Sequence, residues 1–153
     1  MIPNWNTYFM NLIGPISSRS KDPNSKFGCV IVGPDNGIRA TGFNSFPRGI
    51  DDTAPERLLR PEKYKWIEHC ERNAIFEAAK IGVPLEGCRI YLYGIPCIDC
   101  ARAIIQVGIK EVIYSLEKQL AWEQTGTMYK DDNNRVRRML CEAGVKLSPI
   151  SYE

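Results

Sequence analysis

Histidine is almost missing from this chain: its 153 residues hold one, His69, against six cysteines. Any metal centre that does not include His69 must therefore do without imidazole. Long apolar runs are also missing. None approaches the roughly 18 residues that would span a bilayer, which excludes a membrane-spanning helix. The opening Met1-Ile2-Pro3-Asn4-Trp5 has no basic stretch leading into an apolar one, so no export signal is read there. A cytoplasmic location with reduced thiols is expected. An excess of either charge is lacking too. Twenty Lys and Arg face eighteen Asp and Glu, a net of +2, and no Lys/Arg-rich run occurs. A nucleic-acid-binding face is not expected on that balance; small molecules, or copies of the chain itself, are. Repeats and low-complexity tracts are absent as well. Residues 1–153 read as a single domain, long enough to bury a core.

What is present falls into a regular order. Trp5, Tyr8, Phe9, Leu12, Ile13 and Ile16 recur at helical spacing, although Gly14-Pro15 weakens the end of the pattern. The polar stretch from Ser18 to Ser25 reads as a loop. Phe27–Val32 and Ile38–Phe43 read as a hairpin turning over Gly33-Pro34-Asp35-Asn36-Gly37. Residues 44–66 carry little periodicity, and an irregular stretch of that length is usually functional. A helix is expected from His69 to just before Gly82, a strand over Arg89–Tyr93, a helix over Ile98–Val107 and a strand over Glu111–Ser115. A last helix is expected over Asp131–Ala143, N-capped by Asp131 or Asp132, and a last strand over Val145–Pro149. With a helix between each of the last three strands, those strands should be parallel neighbours. The expected fold class is α/β, one mixed sheet with helices on both faces.

Two short motifs carry the chemistry. His69-Cys70-Glu71 opens one helix, and Pro96-Cys97-Ile98-Asp99-Cys100 opens the next. A helix N-terminus presents free N–H groups and a positive dipole end, which favour thiolates at Cys97 and Cys100. One imidazole and two thiolates make three ligands for zinc and leave a fourth tetrahedral position for water. Glu71, two residues beyond His69, can point at that water without binding the metal. Two other readings of the C-x-x-C pair stay open: a redox pair, and a structural zinc site. The first expects no partnering His and Glu, the second a fourth ligand at matched spacing.

These residues resemble the signature H-x-E…P-C-x-x-C of the zinc-dependent cytidine/deoxycytidylate deaminase superfamily. Within it, the chain is most similar to the deoxycytidylate (dCMP) deaminases, from about residue 5 to 147. The similarity runs through Arg19-Ser20-Lys21-Asp22-Pro23-Asn24-Ser25, Thr41-Gly42-Phe43-Asn44-Ser45, His69-Cys70-Glu71-Arg72-Asn73-Ala74 and Pro96 to Ala101. The resemblance implies a cytidine-deaminase-like three-layer α-β-α sandwich with five strands. It implies hydrolytic conversion of dCMP to dUMP and ammonia, supplying thymidylate synthesis. Zinc would sit on His69, Cys97 and Cys100, and Glu71 would carry protons from the nucleophilic water to the ring nitrogen and the departing amine.

Further expectations follow from the same resemblance. Asn44 would hydrogen-bond the substrate's sugar or base, and Cys70, where many relatives have Ala, would still offer its backbone N–H to the pyrimidine carbonyl. Ser25 and Lys26 are candidates for the phosphate, within a basic loop that also holds Arg19 and Lys21. An effector site for dCTP as activator and dTTP as inhibitor, with Mg²⁺ on the triphosphate, would involve Gly42, Phe43, Ser45 and Lys21. Relatives often carry Gly at the position of Ser45. A hexamer is implied as well. Cys29, Cys88 and Cys141 read as small buried residues, and Trp66, Tyr91, Tyr93 and Trp122 as core or interface. Another deaminase of the superfamily, on a free nucleoside or nucleobase, and a non-catalytic zinc-stabilised binding module are the competing functions.

Overall fold

A computed structural model of the chain describes residues 1–126 and 130–152, with the backbone alone at 130 and 131. In chain order the elements are α1 (Trp5–Ser17), β1 (Gly28–Val32), β2 (Ile38–Phe43), α2 (Lys63–Trp66), α3 (Cys70–Ile81), β3 (Arg89–Leu92), α4 (Ile98–Gln106), β4 (Glu111–Ser115), α5 (Leu116–Thr125), α6 (Lys130–Glu142) and β5 (Lys146–Ile150). The strands form one mixed sheet in the order β2-β1-β3-β4-β5. β1 runs antiparallel to β2 and β3, whereas β3, β4 and β5 are parallel, as helix-separated strands should be.

Period-two alternation sends each strand's side chains to two different cores. Cys29, Ile31, Ile90, Leu92, Val112 and Tyr114 face α3, α4 and α6, meeting Ala74, Ile75, Ala78, Ile104, Val136 and Leu140. Val30, Val32, Tyr91 and Ile113 face the other way, onto Phe9, Met10 and Ile13 of α1. The sheet is therefore covered on both faces. α1 begins at Asn4, whose side chain accepts from the Thr7 N–H at 2.9 Å, and it continues through Gly14-Pro15 to Ser17.

Some expectations need correction. α5, directly after β4, was not foreseen. Its one buried residue is the polar Gln119, so it presents no apolar stripe for a pattern to reveal. The irregular segment holds a single 3-10 turn at Pro55–Leu58 and the one-turn α2. Asp132 does not cap α6: the helix already runs from Lys130, and Asp132 accepts from Arg135 at 2.8 Å within it. The Asp131 side chain lies outside the described residues. Cys29 and Cys88 are buried as expected, but Cys141 is exposed. No helix among the described residues is long and apolar enough to cross a membrane.

Candidate active site

The site forms where the N-termini of α3 and α4 meet. β2 leads to the first of them. Beyond its end, Ser45 and Glu68 exchange backbone hydrogen bonds of 3.1 and 2.8 Å, which sets His69 beside the sheet. Asn73 fastens the first turn of α3 by donating to the Phe43 carbonyl at 2.8 Å and to Ser45 Oγ at 3.1 Å. Gly42 permits the approach, since a Cβ there would stand 2.2 Å from the Cys70 carbonyl oxygen and 2.7 Å from the Ala74 nitrogen. The second terminus is held from α5. Gln119 Oε1 accepts from the Ile95 N–H at 2.9 Å, and the Trp122 ring packs where Gly94 lacks a side chain.

His69 and Cys97 are the N-cap residues of α3 and α4, in extended backbone conformation. Cys97 Sγ accepts from the Cys100 N–H at 3.5 Å. Both sulfurs converge on one ring nitrogen: His69 Nδ1 lies 3.5 Å from Cys97 Sγ and 3.6 Å from Cys100 Sγ. The donor atoms of His69, Cys97 and Cys100 all lie within 4.8 Å of one another, the one such group among the described residues. A tetrahedral zinc with bonds of about 2.3 Å to sulfur and about 2.0 Å to nitrogen would set sulfur and nitrogen about 3.5 Å apart. The three residues fit that ion. Glu68 accepts from the His69 N–H at 2.9 Å and from Arg72 Nε at 2.7 Å, while Arg72 Nη1 lies 3.7 Å from Cys100 Sγ.

Protons shared within this group reflect its electrostatics. The Cys100 thiol donates to Cys97, and with the further bonds from His69 and the Cys100 N–H this outweighs burial and brings Cys97 down to about 4. Cys100 is pushed up, first by the bond it gives to Cys97 and then by burial. His69 is raised, first by its bond to Cys97, against the effect of burial. A divalent cation among the three would replace those shared protons and ionise both thiols.

A cavity of about 630 Å³ opens over the group, within the range of small-ligand sites. Glu71 lines it and is buried, with Oε2 accepting from Cys70 Sγ at 3.3 Å. Cys70 lines it too. Its N–H, at the first position of α3, has no acceptor within the helix. Asn44 and Ser25 stand on the same cavity. Asn44 already binds the neighbouring loop: Oδ1 accepts from the Phe27 N–H at 2.8 Å, and Nδ2 donates to the Ser25 carbonyl at 2.9 Å. Lys26 is exposed and is not among the lining residues.

The residues expected at an effector site gather elsewhere. Gly42, Phe43, Ser45 and Lys21 line a second cavity of about 650 Å³, together with Arg19 and Arg48. Lys21 is paired there with Asp52 at 2.8 Å.

Sequence reasoning missed three features of the first cavity. Tyr93 and Trp122, read as core or interface, line it, and Trp122 meets Phe27 edge-on with centroids 5.6 Å apart. Lys63 and Asp22 form a buried ion pair, Nζ lying 2.9 Å from both carboxylate oxygens. Arg60 lines the cavity from an exposed turn. Of the remaining aromatics, Tyr91 is core as expected, and Trp66 lies under the Arg57 guanidinium, 4.0 Å from its centroid.

Two helix N-termini supplying a His and two Cys, with a buried Glu two residues beyond the His, define a zinc-deaminase type of site. The family model for the cytidine and deoxycytidylate deaminase zinc-binding region matches residues 3–116, and the chain belongs to that family. Its relatives include the deoxycytidylate deaminase of Homo sapiens, 41% identical over 119 residues, which cover 74% of this chain and 66% of the human one. The Mus musculus deoxycytidylate deaminase is 40% identical over 126 residues, 79% of this chain and 70% of the mouse one. The chain thus spans about two thirds of the human relative's length. Among solved structures, the dCMP deaminase from the cyanophage S-TIM5 in complex with dCMP and dUMP aligns with a TM-score of 0.75 at 24% identity, over 98% of this chain and 99% of that one. At that identity the likeness is one of fold.

Proposed function

We propose that the chain is a zinc-dependent deaminase that hydrolyses dCMP to dUMP and ammonia. The observation that carries this reading is Glu71, a buried carboxylate on the cavity wall two residues beyond a metal-ligating His69. A purely structural zinc site has no use for a carboxylate there. The curated relatives named deoxycytidylate deaminase favour the substrate.

His69, Cys97 and Cys100 would hold a zinc ion, which would supply the Lewis acidity that makes water a nucleophile near neutral pH. The chain's own residues do the rest. Glu71 takes the proton from the nucleophilic water and delivers it to the ring nitrogen beside the amine-bearing carbon. It then moves a second proton to the departing amine, so that one water enters and one ammonia leaves. The Cys70 N–H, at the positive end of α3, holds the pyrimidine carbonyl. Asn44 and Ser25 lie within reach of the sugar and phosphate. Phe27 and Trp122 form an apolar wall that keeps bulk water from the ring.

The second cavity is the place for an effector, dCTP with Mg²⁺ or dTTP, through Gly42, Phe43, Ser45 and Lys21. A hexamer, a cytoplasmic location and a single-domain organisation complete the proposal. The test is ammonia release from dCMP, with cytidine, deoxycytidine, dCTP and cytosine alongside, each with and without dCTP and dTTP. Turnover much faster on dCMP than on any of the others is the expected result. Turnover confined to an unphosphorylated substrate would retain the chemistry and overturn the nucleotide assignment.

A further inference from the structure

The cavity over Glu71 carries one positive charge, Arg60, that no other described residue neutralises. The geometry points to Arg60 as the residue that grips the substrate's phosphate and sets the preference for a nucleotide over a nucleoside, an assignment that rests on the deaminase reading above.

Among the described residues, the charged side chains around the cavity are paired except at Glu71 and at this residue. Lys63 is held by Asp22 at 2.9 Å, Asp99 by Arg102, and Asp132 by Arg135 at 2.8 Å. Glu71 is reserved for proton transfer. Arg60, by contrast, is exposed and has no hydrogen-bond or ion-pair partner among the described residues. An uncompensated guanidinium on a substrate cavity is a ready anion site, because its planar fork matches two phosphate oxygens at once.

The backbone beneath Arg60 is fixed while its side chain is not. The Lys63 N–H donates to the Leu59 carbonyl at 2.8 Å, and the Tyr64 N–H to the Pro61 carbonyl at 3.2 Å, closing the turn on either side. Lys63 in turn is tied to Asp22 and, at 3.1 Å, to Asn24 of the facing loop. The hydroxyl of Ser25, in that loop and on the same cavity, also has no partner among the described residues. A pyrimidine with its reacting carbon at the buried Glu71 sends its 5′ end outward, where Arg60 is exposed. The basic residues of the 18–26 loop are placed less well for this task. Arg19 and Lys21 line the second cavity, and Lys26 lines neither.

The experiment compares dCMP with deoxycytidine on the zinc-loaded full chain and on its Arg60→Ala and Arg60→Lys variants. Arg60→Ala should lower kcat/KM for dCMP by about 30-fold, mainly through KM, and leave deoxycytidine within about twofold. Arg60→Lys keeps the charge without the fork and should recover part of the loss. Equilibrium binding of dCMP to the Glu71→Gln chain should weaken by the same factor when Arg60→Ala is added. Equal losses on both substrates would make Arg60 a structural residue and overturn the assignment, as would unchanged kinetics on dCMP. Failure of the deaminase reading looks different, because the unsubstituted chain would then release no ammonia from any pyrimidine.

Discussion

The two sides of the catalytic cavity are built by different means. On the metal side, every group comes from the first turn of a helix. His69 and Glu71 are two residues apart, Cys97 and Cys100 three, and the helix N-termini orient them. On the facing side, the wall is held by contacts far apart in sequence: Lys63 to Asp22 across 41 residues, and Asn44 to Phe27 across 17. On the proposed reading, reaction chemistry is written into short segments, and substrate selection into the tertiary packing of loops. Substitutions should separate the two. Those on the metal side should remove turnover with the fold intact, and those that break a tie on the loop side should act first through stability.

The largest expected effect is Glu71→Gln. The amide keeps the size and the hydrogen-bonding reach but cannot take up a proton, so kcat should fall about 1,000-fold. Metal analysis should still find one zinc per chain, and thermal unfolding should change little. A Glu71→Gln chain that retained turnover would break the comparison at its strongest point, because the carboxylate would then be part of the scaffold.

Lys63→Met tests the other side. Removing one partner of a buried ion pair leaves the other charge unpaired in a poor solvent, which costs about 3–5 kcal/mol. Asp22 shows how this depends on pH. Burial acts to raise its pKa, but the Lys63 ammonium and the Asn24 and Ser25 N–H groups outweigh burial and hold it below the ordinary value of 3.8. A depressed carboxylate stabilises the fold above its unfolded pKa, and that contribution is lost as pH falls through the folded value. In Lys63→Met the bond from Lys63 is gone and burial raises Asp22, so the variant takes up its proton at higher pH. The stability gap to the parent chain should be widest near neutral pH and narrow below about pH 4. Urea unfolding at pH 7 and pH 4 would measure it, and zinc content should be unchanged at pH 7.

The same division explains what could be read without coordinates. The grouping of His69, Cys97 and Cys100 was legible because its spacing is a property of helix N-termini, and the single histidine left no competing candidate. The sheet was legible because β1, β3 and β4 alternate between two apolar faces. α5 was not, since a helix whose one buried residue is Gln119 has no stripe to detect. The Asp22–Lys63 pair was hidden for a related reason: both residues look like ordinary surface charges until the loops that carry them meet. Arg60 gave no signal either, because its proposed role rests on having no partner in space among the described residues.

Asn44 is the residue at which the comparison can be sharpened, since it stands on the cavity wall and also ties that wall together. Asn44→Ala leaves the Phe27 N–H and the Ser25 carbonyl without their side-chain partner, at a cost of about 1–3 kcal/mol. If the residue acts chiefly as a tie, the loop from Asp22 to Phe27 loosens as a unit. kcat/KM should then fall by a similar factor for dCMP and deoxycytidine, alongside the loss of stability. If its remaining amide hydrogen and lone pair serve the sugar instead, KM should rise while the unfolding midpoint holds. The two bonds already made, at 2.8 and 2.9 Å to backbone groups on a neighbouring loop, favour the first outcome. A change in KM alone would mean that this wall keeps its shape without Asn44, leaving the Asp22–Lys63 pair as its principal tie.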